Sequence, residues 1–106
     1  MKRFGLKPSE IMAIQNAAAR FPNVESILIF GSRAKGTEKA ASDIDLAVKG
    51  KGVSPEEILK LKDILEEETL IPYFFDIIHY NTLQSPALKS HIHRVGKAIY
   101  RKTASP

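Results

Sequence analysis

Apolar residues change their spacing several times along this chain, and each change marks an element. Ile11, Ile14, Ala18 and Phe21 recur every three or four positions behind Pro8, a residue suited to the first helical turn. They predict a helix that ends before Pro22. Ser26 to Phe30 is a short apolar, β-branched run closed by Gly31, and predicts a buried strand. Ser42 to Lys49 alternates instead. Ile44, Leu46 and Val48 point one way, and Asp43, Asp45 and Ala47 the other, which gives a strand with an apolar face and an acidic face. Ser54-Pro55-Glu56-Glu57 is a capping box with proline at the first helical position. Ile58, Leu61 and Leu65 carry that helix to about Thr69. Tyr73 to His79, aromatic and β-branched, predicts a third strand. Ser85-Pro86 opens a last helix with Leu88, Ile92 and Val95 on one stripe and Gly96 at its end. Ala98 to Tyr100 adds a short edge strand.

Helices and strands therefore alternate. The expected class is α/β (α+β), a small mixed β-sheet with helices packed against it, as one domain over residues 1–106. The pattern leaves the strand order open. Hydrophobic residues at 43% and charged residues at 26% are the proportions of a globular chain and exclude a disordered one. Cysteine is absent, which removes disulfides and thiolate metal sites. No apolar run reaches a membrane span, and no hydrophobic segment follows the basic N-terminus, so a cytoplasmic protein is expected. The net charge of +4 suits a polyanionic ligand and equally a solvated surface. The basic residues are scattered and barely interleaved with aromatics, so direct nucleic-acid binding is not expected.

Candidate chemistry lies in three places: Gly31-Ser32 after the first strand, Asp43-Ile44-Asp45 in the second, and Asp76 in the third. Asp43 and Asp45, two apart on a strand, leave the same face with Cα atoms about 6.7 Å apart. Two carboxylates there repel, and a hard cation such as Mg²⁺ or Mn²⁺ removes the repulsion. Asp76 stands within an apolar strand, where an unpaired carboxylate is costly. If the second and third strands are neighbours, it joins the same cluster. Three carboxylates can hold two metals about 3.5–4 Å apart, the spacing that clamps both oxygens of an in-line phosphoryl displacement. Gly31 lets the backbone approach a phosphate, and Ser32 can donate a hydroxyl to it or cap a short helix over residues 32–35. Arg33, Lys35 and Lys39 bring positive charge to that end.

Each feature alone has a plain explanation. An Asp-x-Asp can cap a strand with solvated carboxylates, and Asp76 can pair with Arg33 or Arg94. Together they point to a site. Other candidates fall away. His91 and His93 face opposite sides of a helix, and His79 is a lone histidine at a strand end. Neither a Gly-x-Gly-x-x-Gly nor a phosphate loop is present.

Gly31-Ser32, ten residues, then Asp43-Ile44-Asp45 resembles the signature of the DNA polymerase beta nucleotidyltransferase superfamily. The strings Phe30 to Gly36 and Ser42 to Val48 look like its minimal nucleotidyltransferase (MNT) branch, and Phe75-Asp76-Ile77-Ile78 fills the position of the third carboxylate. The resemblance implies a polymerase-beta-type fold, two Mg²⁺ ions on Asp43, Asp45 and Asp76, ATP as donor, and Gly31, Ser32 and Arg33 on the nucleotide. It also implies an antitoxin role, with AMP passed to a hydroxyl on a partner toxin of the HEPN class. Two other functions compete. One is a binding module that neutralises its partner by contact. The other is a transferase acting on a small molecule or RNA. The filled triad favours the enzyme, since a pure binder has no use for three clustered carboxylates.

Overall fold

A computed structural model describes residues 3–37 and 42–102. Pro8–Ala19 forms α1, entered through a Lys7–Glu10 capping arrangement in which the Lys7 amide donates to Glu10 Oε1 at 2.8 Å. Ser26–Phe30 is β1, and the chain turns at once into a five-residue helix, α2, Gly31–Lys35. Ile44–Lys49 is β2. The capping box at Ser54 and Glu57 is formed in both directions, at 2.9 and 3.1 Å, and opens α3, Pro55–Asp63. That helix widens into a π turn over Ile64–Glu68. Strand β3, Phe75–His79, is followed by a 3₁₀ turn, Tyr80–Thr82, which the sequence pattern does not announce. Helix α4, Pro86–Val95, and strand β4, Lys97–Arg101, complete the order.

The strands lie in the order β3-β2-β1-β4. β1 runs antiparallel to β2 and β4, while β2 and β3 are parallel, so the sheet is mixed as expected. Both faces are covered unequally. Ile27, Ile29, Ile44, Leu46 and Val48 sit in the main core with Leu6, Ile14, Leu61 and Leu65 from the helical side. The opposite face holds a smaller cluster of Phe30, Ala47 and Ile92, with Leu28 and Ile78 packed against it. Ile92 brings α4 onto that face beside Ala47, and Asp45, half-buried, lies on the same face two residues before Ala47. That partial cover leaves Asp43 and Asp76 exposed on either side of Asp45, where β2 and β3 begin.

Two side chains hold β3 in place. Glu66 Oε2 accepts from the Phe75 amide at 2.7 Å, which satisfies a backbone donor at the start of this edge strand. His79 Nε2 meets the Gly50 carbonyl at 2.7 Å, which gives that histidine a structural part. Lys39, expected to contribute positive charge to the site, lies outside the described residues.

Candidate active site

The parallel pairing of β2 with β3 decides where the acids go. Its register sets Ile44 beside Phe75 and Asp45 beside Asp76, so the two carboxylates leave the sheet side by side. Asp43 precedes β2 by one residue and is exposed, two positions from Asp45. Asp76 is exposed as well. It lies on an edge strand whose face is open here, so the burial cost anticipated from its apolar neighbours does not arise. On the other side of β2, Asp45 pairs with Phe30, the residue before Gly31. Gly31 has φ 72°, and a Cβ there would collide with Asp45 Oδ2. The glycine is required twice, for its backbone angle and for the approach of the carboxylate. The Gly-Ser turn and all three aspartates thus converge at one end of the sheet.

Among the described residues no ion pair neutralises the charge in this cluster. Among the described residues the one ion pair is Arg20–Glu68 at 3.4 Å, on the surface, so neither Arg33 nor Arg94 pairs with Asp76. Burial pushes the Asp45 carboxyl above its ordinary range, and the neighbouring Asp76 and then Asp43 push it further. The Arg33 charge works the other way but does not win. Among the described residues no group of three His, Cys, Asp or Glu side chains is placed to hold a metal ion as it stands. The donor chemistry nonetheless fits hard divalent cations: three carboxylates, mutually repelling and in no ion pair among the described residues.

Ser32 lies within the first turn of α2, whose cap is Phe30, so its hydroxyl is not consumed as an N-cap. Lys35 is exposed in the last turn of the same helix. Arg33 stands elsewhere than expected. Its side chain is 2% exposed and turned inward. Nε and Nη2 donate to the Ser42 carbonyl at 3.2 and 2.6 Å, Nη1 donates to the Phe4 carbonyl at 3.0 Å, and the guanidinium stacks on the Tyr73 ring at 4.3 Å. Donors committed to backbone carbonyls in this way do not face a ligand.

The sequence profile of the polymerase beta nucleotidyltransferase family matches residues 12–105. This chain belongs to that family. It is 39% identical over 70 residues to a candidate protein adenylyltransferase of Methanocaldococcus jannaschii, a match covering 65% of this chain and 72% of the relative. The fold of this nucleotidyltransferase domain is also that of a chain in a toxin–antitoxin crystal structure with AMP-PNP. The TM-score there is 0.71 at 22% identity, covering 92% of this chain and 75% of that one. A structure of a tri-AMPylated Shewanella oneidensis HEPN toxin in complex with an MNT antitoxin gives 0.70 at 18% identity, covering 92% and 74%.

Two features of this family member were not read from the sequence. The stacking of Tyr73 on Arg33 joins residues forty positions apart, and no local spacing signals it. His91, set aside as a metal ligand, packs edge-on against Phe30 with ring centroids 6.3 Å apart, which brings α4 to the β1–α2 junction. No helix of the described residues is long and apolar enough to cross a membrane.

Proposed function

We propose that this chain transfers AMP from ATP to a hydroxyl on a partner protein, a HEPN-class toxin, and so acts as an antitoxin. The observation that carries the reading is the side-by-side placement of Asp45 and Asp76 against Gly31, with no cation among the described residues in an ion pair with either. Gly31 keeps the turn open for the triphosphate tail, and the Ser32 hydroxyl donates to a phosphate oxygen. Asp43, Asp45 and Asp76 are the residues that would hold two Mg²⁺ ions. Two divalent cations held there would neutralise charge on the phosphates and lower the pKa of the acceptor hydroxyl. The acceptor hydroxyl gives up its proton to water as its oxygen forms a bond to the α-phosphorus, the bond from that phosphorus to the bridging oxygen breaks, and pyrophosphate leaves with the electron pair. A protein acceptor is supported by the M. jannaschii relative and by the AMPylated toxin in the related complex.

The experiment is to supply ATP labelled in the α-phosphate or in the γ-phosphate, with magnesium and the partner. Label from the α position alone should reach the partner. Transfer from the γ position would make the protein a kinase and overturn the proposal.

A further inference from the structure

Arg33 is the one charged or polar side chain buried among the described residues, and the chemistry proposed above gives it no task. We infer that Arg33 is a positioning residue, whose guanidinium fixes the segments bearing Asp43 and Asp76 relative to each other and to the Gly31-Ser32 turn. The inference rests on the proposed reading of that site.

Burying a cation is costly unless hydrogen bonds replace its water. Here two of the three hydrogen bonds go to a segment that carries the site. Nε and Nη2 fork onto the Ser42 carbonyl, one residue before Asp43. Asp43 itself lies outside the β2 ladder, so the grip on Ser42 restrains it where the sheet does not. The guanidinium face lies on Tyr73, three residues before Asp76. Between the two contacts, the Ile44 amide donates to the Phe74 carbonyl at 2.9 Å, the bond that opens the β2–β3 pairing. Nη1 reaches the carbonyl of Phe4, a bulky residue held at φ 58°, which ties the N-terminal segment to the same anchor. Arg33 itself springs from α2, directly after Ser32. A planar fork can grip one carbonyl twice while its face stacks on a ring; a lysine ammonium cannot do both.

The test is Arg33→Lys, with Tyr73→Leu as a second variant that leaves the buried charge in place. Steady-state AMP transfer is measured alongside hydrogen exchange at the Ile44 amide. In Arg33→Lys, kcat should fall about ten- to hundredfold, the usual effect of a small misplacement of reacting groups. KM for ATP should stay near the wild-type value, and Ile44 should exchange faster. Tyr73→Leu should move both quantities the same way by less, and it carries the test alone if Arg33→Lys does not fold. A raised KM at intact kcat would make Arg33 a nucleotide ligand and overturn the inference. So would wild-type kcat with unchanged exchange. If the wild-type protein transfers no AMP at all, the functional reading fails, and exchange at Ile44 alone decides whether the positioning role stands.

Discussion

Asp45 carries the tension in this site. Its pKa is raised by burial first and by Asp76 and Asp43 after that, so the fold favours its protonated form. The stabilisation from that preference is complete below the ordinary carboxylate pKa and is lost as pH rises through the raised value. At neutral pH the carboxylate therefore weakens the metal-free fold, and Asp45→Asn should melt higher than wild type without divalent cations. The difference should vanish in acid, and magnesium with ATP should raise the wild-type midpoint more than the variant's. Thermal melts across pH, with and without magnesium and ATP, check this. A variant less stable than wild type at neutral pH would contradict it. At this scale the sequence was informative about which residues lie together and less so about how each is held. Asp43, Asp45 and Asp76 were legible because carboxylates are out of place in strands. Arg33 was not, since nothing in its neighbourhood along the chain shows that its partners are the carbonyls of Phe4 and Ser42.

Elements explain why the acids meet. The apolar alternation of residues 44–48 and the run of residues 26–30 predicted β2 and β1 from the chain, and the Ser54–Glu57 box predicted the start of α3. Strand order was not legible, because alternation fixes which face a residue takes and not which strand lies beside it. The parallel β2–β3 pairing supplies that missing step. Two glycine and serine variants separate structure from chemistry here. Gly31→Ala places a Cβ on Asp45 Oδ2 at positive φ, and should cost about 1–2 kcal/mol of stability and abolish transfer. Ser54→Ala removes a cap beyond the end of β2 opposite to the acids, and should cost about 1 kcal/mol with transfer unchanged per folded molecule. Chemical denaturation and activity on both proteins check the pair. Equal activity losses would mean that stability alone governs function.

Across the whole molecule the two faces of the sheet have different duties. The face under α1 and α3 is filled by the main core and gives the domain its stability. The opposite face is covered only in part by α4, and the acids occupy the strip left open. The mixed sheet with its helices was legible from the order of elements, and family membership agrees with the Gly-Ser and Asp-x-Asp spacing that suggested it. Phosphoryl transfer depends on holding the attacking hydroxyl in line, and the proposal assigns that hydroxyl to a partner protein. The direct measurement is the intact mass of a HEPN-class partner after incubation with this protein, ATP and magnesium. The account predicts a gain of one or more AMP groups with the wild-type protein and none with Asp43→Asn. A tight complex with no mass change, equally neutralised by the variant, would contradict it and leave a binding module in place of an enzyme.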